Sequence, residues 1–257
     1  VGPGFTEAFI PAYPANANSP ILQTDYERVS VVHRISFIAR KCGEKLNNPV
    51  TIRNHNVQEI SFADPNLPVV DAFHGHDYFG DGSFYLVNAP GHSIGHICAI
   101  ARTTTSELSK DTFVFMGGDA CHHSGEFRPS PYNPLPENIY PHPLMADSVH
   151  PCPGASWAKY LRGRGRSIET PFFSILDTAM GAAYNHHVKA AKETIKKVQD
   201  TDSEEDVLVI IAHDNSIKDI VGFFPLSIND WKAKGWGVCS RWPFLKDFRS
   251  VYNNYTE

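Results

Sequence analysis

Three polar side chains stand where apolar runs stop. Phe84-Tyr85-Leu86-Val87 is followed by a Pro-Gly break and then His92, within the stretch A-P-G-H-S-I-G-H from Ala89 to His96. Thr112-Phe113-Val114-Phe115-Met116 runs through Gly117-Gly118 into Asp119, and Val207-Leu208-Val209-Ile210-Ile211 runs through Ala212 into His213. A strand halted by such a break delivers the next side chain off the end of a sheet, where ligand-binding residues gather. Neutral imidazole nitrogens and carboxylate oxygens are the donors that zinc and similar divalent ions take. A carboxylate between histidines can also bridge two ions about 3.5–4 Å apart, with a hydroxide held between them. Strand ends carrying His, Asp and His therefore suggest one metal-binding rim. The plainer alternative is three ordinary polar residues closing three ordinary strands.

Such a rim needs a sheet behind it. Val57 to Phe62 and Val69 to Phe73 read as short strands, and Asp81-Gly82 as a hairpin turn into the strand Ser83 to Val87. Ile97 to Arg102 and Thr112 to Met116, joined by a polar turn, complete a β-meander whose ends carry the polar residues. Ala183, His187, Ala190, Ala191, Thr194, Ile195 and Val198 recur at helical spacing, which predicts a helix over Ala179 to Val198 with lysines outside. The acidic turn Thr201 to Asp206 leads into the strand Val207 to Ile211, and Ser216 to Phe223 is predicted as a short helix. Ser124 to Pro153 carries eight prolines, a density that predicts an extended surface loop, of the kind that often covers an active site. The tail around Trp231, Trp236 and Trp242 reads as an irregular cover. Val1 to Ile21 reads as irregular but packed, with a short helix around Thr6 to Ile10, and residues 29–56 as an insertion.

P-G-H-S-I-G-H, G-G-D-A and I-I-A-H-D, in that order and each after an apolar strand, resemble the third, fourth and fifth motifs of the metallo-β-lactamase superfamily. The G-H-x-x-G-H form and the His-Asp ending are most similar to its lactonase-like hydrolases, including acyl-homoserine lactonases. The resemblance runs from Val57 to Phe224. It implies an α/β fold, an αββα sandwich, as a single and N-terminally incomplete domain over residues 1–257. It also implies two zinc ions: His92 on the first, Asp119 as the catalytic residue bridging both, and His213 on the second. His96 would be a supporting residue rather than a ligand. The implied reaction is hydrolysis of a small-molecule ester, lactone or thioester by a metal-bound hydroxide, with a thioesterase of the glyoxalase II kind as a neighbouring alternative. Phe127, Tyr132 and Tyr140 could line an acyl pocket.

One departure bears on all of this. The superfamily's opening H-x-H-x-D-H occurs nowhere in these 257 residues. The nearest string, His74-Gly75-His76-Asp77, has its Asp one place early and lacks the final His, so it reads as a chance likeness. The competing function is a truncated or degenerate scaffold protein, non-catalytic, with an incomplete metal site. The chain starts at Val1 without a signal-like segment, which reads as a processed end or a piece of a longer chain.

Composition narrows the classes. A net charge of -5 with scattered basic residues argues against a nucleic-acid partner. No apolar run approaches the roughly 18 residues that span a bilayer. Five widely spaced cysteines fit reduced thiols, and so a cytoplasmic location, better than a disulfide framework. Among the other polar residues, His122 and His123 follow Asp119 and could touch substrate or metal, although loop histidines are usually solvated. His186 and His187 are expected on the helix, one packed and one exposed. Cys121 reads as a buried thiol without a base, and Gly163 and Gly165 form no phosphate loop because no strand–helix frame surrounds them.

Overall fold

Strands that are apolar at consecutive positions must be covered on both faces, and that pattern organises this chain. The computed structural model describes residues 60–105, 110–177 and 184–252. Their main sheet consists of β1 (Val69–Val70), β2 (Phe73–Asp77), β3 (Phe84–Asn88), β4 (Ile97–Thr104), β5 (Thr112–Met116) and β8 (Val207–Ile210). The strand order is β1-β2-β3-β4-β5-β8. Neighbours are antiparallel up to β5, and β5 and β8 are parallel. The class is α/β with a mixed sheet.

Register brings the chemistry to one edge. Asn88 pairs with Ile97, Ala99 with Met116, and Met116 with Ile210. The end of β3, the start of β4 and the ends of β5 and β8 therefore lie side by side. Every segment that follows or precedes those four ends opens at the same rim.

Alternate residues of each strand feed different cores. Val87, Cys98, Ile100, Phe115 and Val209 pack with Ile195 and Val198 of helix α2 (Val188–Thr201). On the opposite face Val114, Leu208 and Ile210 pack with Ile217, Val221 and Trp231, while Phe84, Leu86, Ile97 and Ala99 meet Ile60 and Phe62. The sandwich expected from the resemblance is thus represented by one sheet with a helix on one face. The other sheet among the described residues is the two-residue pairing of β6 (Asn138–Ile139) with β7 (Cys152–Pro153).

Several expectations need correction. Helix α2 begins at Val188 rather than Ala179, because extended His187 ends the preceding chain and its Nδ1 accepts the Ala190 N–H; residues 178–183 lie outside the described residues. Val69 to Phe73 is not one strand, since Asp71 at φ 56° turns the chain between β1 and β2. Residues 60–62 form no strand, and residues 57–59 fall outside the described residues, as do the insertion at 29–56 and the N-terminal segment. Ser216 to Phe223 holds only a 3-10 turn, Asn215–Ile217, followed by irregular turns.

The largest difference lies in the proline-rich segment. Regular structure there is limited to a 3-10 turn (Ser124–Glu126) and the two-residue strands β6 and β7, but Phe127, Arg128, Ser130, Leu135, Ile139 and Cys152 are buried rather than on the surface. Leu135, Ile139 and Cys152 join Trp157 and Leu161 of helix α1 (Gly154–Arg162) and Phe244, Leu245 and Phe248 in a second core. Irregular backbone tolerates burial when its polar groups are bonded, and Leu135 N–H, for example, donates to the Ile168 carbonyl. Helix α1 was absent from the sequence reading, although Trp157, Ala158 and Leu161 have helical spacing. No helix among the described residues is long and apolar enough to cross a membrane.

Candidate metal centre

The loop before His92 is shaped by helix α2. Gly91 has φ 134°, and a Cβ there would lie 2.2 Å from the backbone nitrogen of Ala191, so only glycine lets the first turn of the helix come this close. Three bonds seal the contact. His187 N–H donates to the Gly91 carbonyl and His186 N–H to the His92 carbonyl, both at 2.9 Å. Thr194 Oγ1 donates to the Pro90 carbonyl at 2.7 Å. His92 therefore stands on a loop clamped at both its flanks.

Four residues on, His96 holds Asp119. The His96 ring is 1% exposed. Its Nε2 accepts the Asp119 backbone N–H at 3.1 Å, and its Nδ1 lies 3.0 Å from the Ala89 carbonyl. Both bonds exist together only if Nδ1 carries the proton, which makes the ring neutral. Burial pushes the His96 pKa down, in the same sense. The turn between β5 and Asp119 needs Gly118, whose φ is 51° and whose Cβ would press within 3.1 Å of His96 Nε2. Gly118 O accepts the Ala212 N–H at 2.9 Å, so the exit of β8 is tied to the same turn. His213 follows in the left-handed region, with φ 67°, a conformation uncommon for a residue with a Cβ and concentrated at functional sites.

These constraints make the Asp119 carboxylate two-sided. One oxygen, Oδ1, lies 3.1 Å from His213 Nε2, and the other, Oδ2, lies 3.6 Å from His92 Nε2. Ligand atoms of His92, Asp119 and His122 all fall within 4.8 Å of one another. The His122 ring sits between the other two imidazoles, with centroids 4.8 Å from His92 and 5.8 Å from His213. Burial alone would push the Asp119 carboxyl up, but the facing imidazoles, His92 foremost, outweigh it and hold the group below the ordinary carboxylate value. An anionic oxygen pair facing nitrogen donors on two sides is a donor set that fits divalent ions.

The structure thus brings His92, Asp119 and His213 to one rim, with His96 beneath it. It also places His122 in the cluster, which the sequence reading left among solvated loop histidines; its position three residues after Asp119 was the available signal. His123 points elsewhere, with Nδ1 accepting the Gly125 N–H and Nε2 3.1 Å from Asp247. His186 and His187 precede the helix and are both exposed, so the expected packed member of that pair does not exist. Asp77 of the His74-Gly75-His76-Asp77 string accepts the N–H groups of Gly80 and Gly82 in the β2–β3 turn. Cys121 is fully buried, and burial pushes its thiol well above the ordinary value. Phe127 is 1% exposed inside the main core, whereas Tyr132 and Tyr140 face solvent. Gly163 and Gly165 close the end of α1.

No family model and no solved structure gives a match to the chain. Curated relatives do. Gamma-lactamase MBL2 of Gibberella moniliformis is 35% identical over 198 residues, which are 77% of this chain and 68% of that protein. Gamma-lactamase FDB1 of Fusarium pseudograminearum is 34% identical over 248 residues, 96% of this chain and 52% of that protein. Metallo-hydrolase mfmC of Annulohypoxylon moriforme is 37% identical over 248 residues, 96% of this chain and 55% of that protein. The chain spans about half the length of FDB1 and mfmC.

Proposed function

This chain belongs to the metallo-β-lactamase superfamily, and from that premise we propose that its rim is part of a metal-dependent hydrolase centre that opens a cyclic carboxyl derivative, a lactone or a γ-lactam. The observation that carries the proposal is the Asp119 carboxylate, whose two oxygens face two different imidazoles. His92 and Asp119 would hold one divalent ion, and Asp119 and His213 a second, zinc being among the ions that suit nitrogen and carboxylate donors. Such ions, when bound, polarise a scissile carbonyl and bring the pKa of a water to about 7.

The chain's own residues do the positioning. Neutral His96 keeps the Asp119 backbone in place from below, so the carboxylate starts from a fixed point between the two histidines. Gly118 allows His96 to approach, and the Gly118–Ala212 bond keeps His213 level with Asp119. The cyclic-substrate reading is supported by the relatives named gamma-lactamases and by the lactonase-like form of the G-H-x-x-G-H motif. Open esters and thioesters are the competing substrates.

Metal content and turnover of a γ-lactam, a γ-lactone and a thioester test this together, on wild type and on Asp119→Asn. The expected result is metal in the wild-type protein, faster opening of a cyclic substrate than of the thioester, and loss of both metal and turnover in the variant. Thioester preference would replace the cyclic substrate. Absence of metal and of turnover, both in this chain and in a version extended upstream of Val1, would leave the non-catalytic scaffold reading instead.

A further inference from the structure

We infer that His122 is a metal donor, forming with His92 and Asp119 a three-donor site for one divalent ion that this chain builds without any residue of an H-x-H-x-D-H motif. The inference rests on the proposed metal-dependent reading and adds a ligand that the strand-end motifs do not contain.

Proximity is the first support. His92, Asp119 and His122 each offer a ligand atom within 4.8 Å of the others. Donors on one tetrahedral ion with bonds of about 2.1 Å stand about 3.4 Å apart, so side-chain rotations of ordinary size would close the set. His213 bonds the opposite oxygen of Asp119, which divides the rim into a three-donor side and a His213 side.

The second support is how His122 is held. Its backbone N–H donates to Glu126 Oε2 at 2.8 Å, and Cys121 before it is fully buried. The peptide is therefore anchored on both sides while the imidazole stays half-buried among His92 and His213. The adjacent His123 shows the contrast, because both of its ring nitrogens are engaged by Gly125 and Asp247. Three protein donors around one divalent ion also leave a fourth position for water or substrate, the arrangement of catalytic rather than structural zinc sites.

The test uses metal-stripped chain titrated with Co(II) and Zn(II), with affinity measured by chelator competition. Wild type should bind a first equivalent tightly. Loss of a group that merely supports a ligand already costs 10–100-fold in affinity, so His122→Ala should lose at least about 100-fold. His123→Ala should keep the first equivalent within about fivefold. Paramagnetic NMR of the Co(II) form gives a readout independent of affinity and folding margin. Wild type should show two shifted imidazole N–H resonances at the first equivalent, and His122→Ala one. Wild-type affinity and two resonances in His122→Ala, with binding lost in Asp119→Asn, would overturn the role of His122 and leave the hydrolase reading standing. No binding by wild type would overturn the three-donor site, and absence of metal also from a version extended upstream of Val1 would overturn the hydrolase reading with it.

Discussion

Arg128 and Asp119 are both charged groups drawn out of solvent between segments far apart in sequence, yet their surroundings differ in kind. Arg128 is 3% exposed, and all three of its guanidinium nitrogens are engaged. It donates to both oxygens of Asp202 and to the carbonyls of Ser240 and Arg241, joining the proline-rich segment, the end of α2 and the C-terminal segment. Asp119 is surrounded by imidazoles that approach it at 3.1 and 3.6 Å along two directions. One constellation completes its hydrogen bonds within the protein. The other gathers imidazole nitrogens, which are metal-ligand atoms, around an anion. The comparison teaches that burial of charge by itself does not mark a functional site; the chemical type of the partners does.

The comparison can be broken most sharply from the structural side. Arg128→Ala leaves Asp202 buried without its partner, and a broken buried pair costs about 3–5 kcal/mol. Urea denaturation should show that loss, and a loss below about 1 kcal/mol would mean that Arg128 is not a structural tie. Asp119→Asn should do the reverse. Its folding free energy should stay within about 1 kcal/mol of wild type, while affinity for the first divalent ion falls at least about 100-fold, or about 2.7 kcal/mol.

His96 joins the two categories, since it is buried like Arg128 and touches Asp119. His96→Ala strands the Asp119 N–H and the Ala89 carbonyl, which costs about 1–3 kcal/mol of stability. Metal affinity should drop about 10–100-fold in the same variant. A change in only one of the two quantities would show that holding the Asp119 backbone and binding metal are separable.

The smallest effect belongs to His142, in the proline-rich region. Burial lowers its pKa below the ordinary 6.5, and its Nδ1 accepts the N–H groups of Leu144 and Met145. The unfolded chain therefore takes up the proton at a higher pH than the folded one. Stability is complete above the ordinary histidine value and declines as pH falls through it. His142→Asn keeps an acceptor that cannot be protonated, so the acid-side decline in melting temperature should be shallower than in wild type.

Much of the sheet was legible because its strands are short and bounded by breakers. Thr112 to Met116 was read with its observed limits, and β3, β4 and β8 with errors of one or two residues at their ends. Apolar periodicity carried those readings. It misled at the start of α2, where His187 continues the spacing but caps the helix instead of lying in it. The proline-rich segment was misread for a related reason. Proline density reports the absence of regular hydrogen bonding, but says nothing about whether the irregular chain is buried against aromatic residues about a hundred positions away. Helix α1 was hidden between that segment and the R-G-R-G-R run, where short length and flanking breakers masked Trp157 and Leu161.

His92, Asp119 and His213 were picked out as polar residues at strand ends because a break after an apolar run is a local event. Their assembly depends on register, since Ala99 opposite Met116 and Met116 opposite Ile210 are pairings between distant segments. The roles of His96 and His122 were decided at the same level. The same residue type, at neighbouring or motif positions, becomes a buried clamp, a cap, a structural hydrogen-bond partner or a candidate metal donor according to which backbone lies beside it. The sequence by itself determined where the strands stop and which side chains are presented there. Only the tertiary structure decided which of those side chains meet, because that depends on hydrogen-bond register and helix docking across the whole sheet.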